Sequence, residues 1–359
     1  MKRLKRVALR WLGSGIRRHF NAEDVRRILV FRYDRIGDMV VTTPFLVALG
    51  RGFPSAHIDI LCSRINAPVA QGLPGINQLI IHRPSLRGLI QIFQLRANRY
   101  DLVVDLNHSV IWYDLIAIRL LGAANVASVH KDGRYGVAGE DLRLYNIMSP
   151  RHPLGMRRPI SDVYIDLAKN LTGLTCLEDL SYTFAICSAE VQAARCHIGV
   201  SERDLVVGVN QHGGRPSMSL RDQDMLILCR LIRETLPQAV IVWFTTPNTF
   251  GEVKKLSQGF RDDRLRVWGP TDSIRPVMAL MSDVKLLVTP DTSLVHIASA
   301  FKVPVVAVYA DEPELIDQWA PQTKTIRVIR SNHSKSLEGY SKDALINETD
   351  MLLKTLRVP

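Results

Sequence analysis

Residues 284–309 constrain the fold of this 359-residue chain more than any other stretch. They run from an apolar segment at 286–288, through a polar turn at 289–293 and a helical pattern, to a second apolar segment at 303–309. Uninterrupted apolar segments are typical of strands buried on both faces of a sheet. A strand–helix–strand unit of this length joins parallel strands. The sequence therefore predicts a βαβ unit here.

The helix of this unit is predicted to begin at the polar turn. Asp291 or Thr292 can cap it, because a side-chain oxygen at that position accepts a hydrogen bond from a free backbone N–H. The helix N-terminus also offers free N–H groups and a positive dipole end, which suit a phosphate. The same turn chemistry serves ordinary helix capping, so both interpretations stay open at this point.

Strand and helix patterns alternate along the rest of the chain. Strands are predicted at 28–32, 57–62, 78–82, 101–106, 125–130 and 182–186 in the first half, and at 205–210, 240–244, 265–268, 285–288, 303–309 and 326–329 in the second. This alternation predicts an α/β fold with two doubly wound parallel sheets. The predicted segments are a basic arm at 1–25, a first domain at 26–187, a second domain at 188–335 and a C-terminal helical segment at 336–359.

The positive charge of the chain is concentrated at its N-terminus. With 46 Lys and Arg against 35 Asp and Glu, the net charge is +11. The first twenty residues contain no acid and the basic residues Lys2, Arg3, Lys5, Arg6, Arg10, Arg17 and Arg18. One helical stripe of this arm consists of Leu4, Ala8, Trp11 and Leu12. The arm fits a helix lying on an anionic membrane surface or a solvated basic tail, and no nucleic-acid motif accompanies it.

Other features indicate a cytoplasmic protein. No apolar run reaches the roughly 20 residues that span a bilayer, and the arm lacks the apolar segment of a secretory signal. The cysteines are Cys62, Cys176, Cys187, Cys196 and Cys229. Their odd number and wide spacing indicate reduced thiols rather than disulfides or a zinc site. We expect a cytoplasmic protein whose residues 1–20 are available for contact with the inner membrane.

Two loops follow predicted strands at the edge where ligands bind in open α/β sheets. The loop Tyr33-Asp-Arg-Ile-Gly-Asp38 opens a helix. The loop at 211–220 contains two glycines, which let a ligand approach the backbone, and Arg215, whose guanidinium suits a diphosphate. Ser217 or Ser219 can cap the helix that follows.

Two motifs far apart in the chain resemble glycosyltransferase family 9, the ADP-heptose:lipopolysaccharide heptosyltransferases. Arg35-Ile-Gly-Asp38, with Thr42-Thr43-Pro44 after it, is similar to the amino-terminal signature of the family. Pro290-Asp291-Thr292-Ser293, with His296 on the same helix, is similar to its donor-site motif. The resemblance implies a GT-B architecture, in which two Rossmann-like domains face each other across a cleft. It also implies that the C-terminal helix packs back on the first domain.

The resemblance also implies roles for individual residues. Asp38 becomes the general base, with Asp34 as a rival and helix capping as the alternative explanation of Asp38. The residues on the acceptor side become Arg35, Thr42 and Thr43. The donor-binding residues become Arg215, Ser217, Glu252, Asp291, Thr292, Ser293 and His296.

A metal is not expected. Asp222 and Asp224 form a D-x-D pattern, which holds a metal in other glycosyltransferases, but they open an amphipathic helix, where acids are favourable anyway. We predict that helix dipoles and basic side chains offset the charge of the diphosphate, with no metal and no cofactor.

The predicted function is an inverting glycosyltransferase. The resemblance implies a heptose from ADP-heptose as the sugar and a lipopolysaccharide-core or related cell-surface glycan as the acceptor. Three alternatives stay open: a sugar-nucleotide-binding protein without catalysis, a peripheral-membrane or nucleic-acid-binding scaffold built on the basic arm, and a sugar-nucleotide epimerase. Residues 131–160, rich in Arg, Gly and Pro, are either an acceptor-binding loop or a solvated connection.

Overall fold

The computed structural model describes residues 2–15, 19–131, 137, 139–149, 158–177, 180–260 and 262–357. The chain divides between Ala185 and Ile186 into two compact units, two residues before the end of the predicted first domain. Arg17 and Arg18 of the arm, and much of the basic loop at 131–160, lie outside the described residues.

The first unit contains a parallel sheet whose described strands have the order β3-β2-β1-β4-β5-β6. The strands are β1 (Arg27–Arg32), β2 (His57–Cys62), β3 (Gln78–Ile81), β4 (Leu102–Asp105), β5 (Asn125–Ser128) and β6 (Ile147–Met148). The helices are α1 (Lys2–Leu12), α2 (Ile36–Gly52), α3 (Ala67–Ala70), α4 (Leu86–Leu95), α5 (Trp112–Leu121) and α6 (Ile160–Thr172), with short 3-10 helices at Ala22–Asp24, Arg96–Asn98 and Gly139–Asp141.

The second unit contains a parallel sheet whose described strands have the order β12-β11-β10-β7-β8-β9. The strands are β7 (Val206–Asn210), β8 (Val240–Phe244), β9 (Leu265–Val267), β10 (Val284–Pro290), β11 (Val305–Tyr309) and β12 (Ile326–Arg330). The helices are α7 (Ser188–Ile198), α8 (Asp222–Thr235), α9 (Phe250–Gln258), α10 (Arg275–Met281), α11 (Ser293–Ala300), α12 (Pro313–Gln318) and α13 (Lys342–Thr355), with a 3-10 helix at Pro216–Met218.

Both sheets have the same doubly wound strand order, because the first strand of each unit lies between the second and the fourth. The chain therefore winds outward in both directions from the first strand. The connections after the first and fourth strands lead to opposite sides of the sheet, since crossovers between parallel strands are right-handed. A crevice forms between these strands at their carboxyl ends, where open α/β sheets bind ligands.

The strands with uninterrupted apolar sequences are buried, as predicted. Every residue of β4, β7, β8 and β11 is buried, as expected for uninterrupted apolar runs. The predicted βαβ unit is confirmed, because β10 and β11 pair in parallel with Leu287 opposite Val305. The predicted strand at 182–186 is wrong, since these residues form no strand. Tyr182 is buried outside the sheet, so the apolar pattern there reflects packing alone.

The C-terminal helix packs in the core of the second unit. Helix α13 contacts α8 and the strands β10, β11 and β12. Leu345, Leu352 and Leu353 of α13 are buried in the apolar core of the second unit. The described part of this segment is therefore a structural element of the second unit, and its packing on the first domain stays a prediction. An amphipathic helix shows which of its faces is apolar and not which sheet covers it.

The N-terminal arm is a helix that packs on the first unit. Leu9 of α1 is fully buried in a core cluster of that unit. Arg119 of α5 donates a hydrogen bond to the Leu12 carbonyl at 2.8 Å, and the Leu144 N–H donates to the Gly13 carbonyl at 2.8 Å. The solvated-tail interpretation is therefore wrong for α1. Within the described ranges, no helix is both long enough and apolar enough to cross a membrane.

Candidate active site

The predicted site residues lie in the loops and helix starts at the carboxyl edge of each sheet. In the first unit, the Asp34 and Asp38 loop follows β1, and the loop with Asn107 and His108 follows β4. These are the two strands that flank the crevice of that sheet. The loop after β1 therefore lies at the edge where open α/β sheets bind ligands.

Asp38 lies in the first turn of α2. One of its carboxylate oxygens accepts a hydrogen bond from the Arg35 N–H at 3.1 Å, so Asp38 also caps the helix. Burial raises the pKa of Asp38 above its ordinary value, and the charge of Asp34 raises it further, whereas Arg32 opposes both. Capping and proton transfer are compatible, since a carboxylate can accept more than one hydrogen bond.

Asp34 is held in an ion pair with a buried arginine. Arg32 donates to Asp34 Oδ2 at 2.7 Å and to Tyr164 Oη at 2.5 Å. Burial would lower the pKa of Arg32, but the charges of Asp34, Tyr164 and Asp38 raise it above its ordinary value. The Asp34 carboxylate is thus the counter-charge of a buried guanidinium, whereas the Asp38 carboxylate accepts from a backbone N–H.

Side chains from other elements hold this loop in place. Asn66 donates to the Arg32 carbonyl at 3.0 Å and accepts from the Ser63 N–H at 2.8 Å. His108 Nε2 lies 3.1 Å from Tyr164 Oη. Burial lowers the pKa of His108 to about 3, helped by the charges of Arg32 and Lys131. His108 is therefore neutral near pH 7 and does not compete with Asp38 for a proton.

The residues predicted to lie on the acceptor side differ in their exposure. Arg35 is exposed and remains available to a ligand. Thr42 and Thr43 are fully buried; their hydroxyls donate to the carbonyls of Asp38 at 2.7 Å and Val40 at 2.8 Å. The two threonines therefore contact no acceptor directly. Their place in the motif reflects helix packing, because a threonine hydroxyl satisfied by the preceding turn can be buried inside a helix.

The crevice of the first sheet rests on a buried polar network at the end of β4. Asp105 pairs with the buried Lys131 ammonium at 2.7 Å and accepts from Tyr145 Oη at 2.7 Å. Nearby, Asp114 accepts from Tyr33 Oη and, at 2.7 Å, from the Asn107 amide. Burial raises the pKa of Asp114 to about 7. This network fixes the floor beneath the β1 and β4 loops.

In the second unit, the donor motif forms the start of α11. The Thr292 hydroxyl caps the helix by accepting from the Leu294 N–H at 3.3 Å, which decides between the two predicted caps. The hydroxyls of Thr292 and Thr289 lie 3.2 Å apart. Thr289 in turn accepts from the Asn210 amide at 2.9 Å. Since Asn210 ends β7, this chain of hydrogen bonds joins the two loops that flank the second crevice.

The other residues of the motif differ in exposure. Asp291 is exposed, and Thr292 and Ser293 are half-buried, so all three can meet a ligand. His296 is buried, and burial lowers its pKa to about 4. Because His296 is only 5% exposed, its neutral ring offers little surface to a donor. Its contact with the donor stays a prediction.

The glycine-containing loop after β7 packs tightly at one glycine and is open at the next. A Cβ added to Gly213 would lie 2.2 Å from the Met218 carbonyl oxygen, whereas one added to Gly214 would meet nothing within 4 Å. Arg215 is exposed and donates to the Lys335 carbonyl at 2.8 Å. The loop is therefore held on one side and open on the other.

Two serines of this loop were predicted to cap the next helix. Helix α8 begins at Asp222 and its N-cap is Arg221, without a side-chain cap, so neither Ser217 nor Ser219 caps it. The Ser217 carbonyl instead accepts from the Leu337 N–H at 2.8 Å. Ser217 therefore anchors the loop to the chain after β12 and is exposed beside Arg215.

Glu252 meets a histidine that the sequence did not single out. It lies in the first turn of α9 and its carboxylate is 3.6 Å from His212 Nε2. His212 follows β7 in the same loop as Gly213, so the pair joins two neighbouring strand ends. This places Glu252 at the predicted donor edge.

The D-x-D residues are engaged within the second unit. Asp222 accepts from the Gln211 amide at 2.5 Å. Asp224 pairs with Arg221 at 2.7 Å and accepts from Tyr340 Oη at 2.5 Å. A group of three or more His, Cys, Asp or Glu arranged to hold a metal does not occur in the portion of the chain that the structure describes.

Sequence reasoning missed the residues that support the two loops. In the first unit these are Arg32, Asn66, His108 and Tyr164, and in the second they are Asn210, His212 and Thr289. A partial signal existed, since Arg32, Asn210 and Thr289 are polar residues within otherwise apolar strands. A buried polar residue in such a strand requires a hydrogen-bonding partner. Such a residue therefore points to the loop that it supports at the end of the strand.

Comparisons with known proteins agree with this description. The model of the family "Glycosyltransferase family 9 (heptosyltransferase)" matches residues 230–345. Lipopolysaccharide heptosyltransferase 3 of Escherichia coli (strain K12) is 23% identical over 313 residues, which cover 81% of this chain and 83% of the relative. The matched region of the family model contains α11 and its donor motif.

Two solved structures share the fold. A family 9 glycosyl transferase from Veillonella parvula superimposes with a TM-score of 0.74 at 18% identity and covers 91% of this chain and 97% of its own. E. coli ADP-heptose lps heptosyltransferase II gives 0.72 at 19% identity, covering 92% and 100%. The chain therefore has a GT-B fold and is similar, over residues 230–345, to the heptosyltransferases of glycosyltransferase family 9.

Proposed function

We propose that the protein transfers a heptose from ADP-heptose to a lipopolysaccharide-core acceptor, with inversion at the anomeric carbon. The similar proteins are, by their names, a lipopolysaccharide heptosyltransferase and an ADP-heptose heptosyltransferase. One observation of this chain carries the proposal: a partly buried Asp38 with a raised pKa lies at the ligand-binding edge of the first sheet, apart from the Arg32–Asp34 ion pair.

In this proposal the second unit holds the donor. The diphosphate lies against the first turn of α11, where backbone N–H groups and the helix dipole favour an anion. The Thr292 cap fixes that turn. Arg215 is exposed and uses one N–H on the Lys335 carbonyl, so its other N–H groups are free to approach a phosphate. Glu252, on the adjacent strand end, then accepts from ribose hydroxyls.

The first unit supplies the base. The carboxylate of Asp38 takes the proton of an acceptor hydroxyl, and the resulting oxygen attacks the anomeric carbon of the donor. The bond from that carbon to the diphosphate breaks, and ADP leaves with the electron pair. The α11 dipole and Arg215 stabilise the negative charge that develops on the leaving diphosphate. The new glycosidic bond forms on the face opposite the leaving group.

The raised pKa of Asp38 suits this step. A base is most effective when its pKa approaches the operating pH while it stays ionised. Burial and the charge of Asp34 raise the pKa of Asp38, which strengthens the carboxylate as a proton acceptor. Arg32 opposes this effect. The Arg32–Asp34 pair therefore tunes the base without transferring the proton itself.

We further propose that the protein works at the cytoplasmic face of the inner membrane, because a lipopolysaccharide-core acceptor is anchored in lipid. Basic α1 supports this location, since it packs on the first unit through Leu9 and leaves Trp11 exposed at 73%. An exposed tryptophan beside basic residues is typical of helices that lie at a membrane interface.

The first test is a titration of the purified protein with ADP-heptose, ADP, GDP-mannose, UDP-glucose and dTDP-rhamnose. We expect heat of binding from the two adenine ligands only. A transfer assay with a lipopolysaccharide-core acceptor should then release ADP in step with glycan formation. Selective binding of another nucleotide would replace the proposed donor, and binding without transfer to any acceptor would favour a non-catalytic sugar-nucleotide-binding protein.

A further inference from the structure

Helix α4 has an apolar stripe on its outer face. The exposed fractions are 82% for Leu86, 60% for Ile90 and 56% for Phe93. Spacings of four and three residues place these side chains on one side of a helix. The inner side is apolar as well, since Gly88 and Ile92 are buried. A surface helix of a soluble protein usually has only one apolar face, so the outer stripe requires an explanation.

Helix α1 has a smaller stripe of the same kind. Val7 is exposed at 62% and Trp11 at 73%, and they lie four residues apart. Both helices pack on α5, and Leu9 of α1 and Ile92 of α4 belong to one core cluster. The two helices therefore cover the same side of the first sheet. We call the exposed residues Val7, Trp11, Leu86, Ile90 and Phe93 the α1/α4 face.

The two stretches of sequence that form the α1/α4 face contain no acid, and the ion pair of Arg10 with Asp141 at 3.8 Å brings one from another segment. Neither residues 1–22 nor residues 60–100 include an Asp or Glu. The exposed basic residues in these two stretches that the structure describes are Arg6, Arg10, Arg64, Arg83, Arg87, Arg96 and Arg99. Basic residues bordering apolar ones fit a surface that is anionic outside and apolar beneath, which is the organisation of a bilayer with anionic lipids.

The α1/α4 face begins at the edge of the sheet where the proposed base lies. Leu86 opens α4, directly after β3, so it lies at the carboxyl edge of the first sheet. Ile65, exposed at 59%, follows β2 at the same edge. Its neighbour Asn66 holds the backbone of the Asp38 loop through the Arg32 carbonyl. The exposed apolar side chains and the proposed acceptor side of the site therefore lie at the same end of the sheet.

We propose that the α1/α4 face docks on an anionic bilayer and presents the catalytic loop to a lipid-anchored acceptor. This inference rests on the proposed function for its substrate and adds α4 to the membrane contact. The occupant is a bilayer rather than a second copy of the chain, because two copies would bring two predominantly basic surfaces together and repel each other.

The test uses the full chain and vesicles in a sedimentation assay, in phosphatidylcholine with and without phosphatidylglycerol. The variant Leu86→Gln/Ile90→Gln/Phe93→Gln removes the stripe of α4. Leu315→Gln/Met351→Gln is the matched control, since these apolar residues of the second unit are exposed at 47% and 49%. All substitutions are on the surface, where stability changes little.

We expect the wild type to bind phosphatidylglycerol vesicles about tenfold more tightly than neutral ones, and less tightly in high salt. The α4 variant should lose about tenfold in partitioning, because binding scales with buried apolar area, and the control should bind like the wild type. Quenching of fluorescence by brominated lipid should disappear in Trp11→Phe. Equal binding by the α4 variant, or equal quenching in Trp11→Phe, would overturn the proposal.

Two measurements separate this inference from others. Light scattering tests whether the chain self-associates through the α1/α4 face. We expect the α4 substitutions to leave the oligomeric state unchanged. Self-association that these substitutions abolish would assign the face to a second copy. ADP titration needs no membrane. Retained ADP binding with no vesicle binding would reject the docking surface alone, whereas vesicle binding without ADP binding would reject the proposed donor alone.

Discussion

Replacing Asp38 with Asn separates the proton transfer from the structure of the loop. The Asn side chain has the same shape, and its oxygen can still accept from the Arg35 N–H that Asp38 contacts at 3.1 Å. What disappears is the ability to take a proton, and a general base contributes about 10²- to 10⁴-fold to the rate. This corresponds to about 2.7–5.5 kcal/mol of transition-state stabilisation at 1.36 kcal/mol per decade. We expect turnover to fall by that factor, with unchanged affinity for ADP.

Stability should change little in Asp38→Asn, because two effects oppose each other. The variant loses a carboxylate at a helix N-terminus, worth about 0.3–1 kcal/mol. It also removes the partly buried charge of Asp38. The burial of that charge and its repulsion by Asp34 are the causes of the raised pKa of Asp38. Since 1 kcal/mol shifts the Tm of a domain of this size by roughly 2–4 °C, the Tm should move by no more than a few degrees.

Three quantities are measured for each variant: the initial rate of ADP release at saturating donor and acceptor, the affinity for ADP, and the Tm. Asp34→Asn is the matched control, because Asn can still accept a hydrogen bond from Arg32. Turnover should persist in this control. The acidic limb of its kcat/KM profile should move to lower pH, since a charge that raises the pKa of Asp38 is gone. A fully active Asp38→Asn together with an inactive Asp34→Asn would refute the assignment and make Asp34 the base.

Three further substitutions test other parts of the structure. Gly213→Ala should weaken ADP binding in a titration, because its Cβ would lie 2.2 Å from the Met218 carbonyl, whereas Gly214→Ala should not; equal affinities would contradict a tightly packed loop. Burial raises the pKa of Asp114 to about 7, so its stabilising effect is complete below its ordinary pKa and is lost as the pH rises through about 7. The Tm of wild type minus that of Asp114→Asn should therefore decrease from about pH 4 to about pH 8, and a difference independent of pH would exclude this titration. Leu9→Ala should lower the unfolding free energy of the first unit by about 2–5 kcal/mol in denaturant, and a negligible loss would show that α1 is not part of its core.

Much of the fold followed from local patterns. Strands such as β2 and β8 were predicted at their observed bounds, because their apolar runs end at turn residues. The start of α11 also followed from the sequence, since a capping hydroxyl before an apolar helix is a local signal. These features depend on residues that are close together in the chain.

The environment of the site depends on contacts that are distant in the chain, and sequence patterns do not contain them. Tyr164 and Asn66 reach Arg32 from other elements of the first unit. The motif also made Thr42 a candidate for acceptor contact, although its hydroxyl bonds to its own helix. A motif specifies which residue types recur and not which of them face the ligand, so burial had to come from the structure.

The packing of α13 has a consequence for how the chain can be divided. Because α13 completes the core of the second unit, residues 186–359 form one continuous segment with their own sheet. Every residue proposed to touch the donor is within that segment. A fragment starting at Ile186 should therefore fold when expressed alone and retain affinity for ADP. Mixing it with a separately purified first unit would show whether catalysis requires a covalent tether between donor binding and proton transfer.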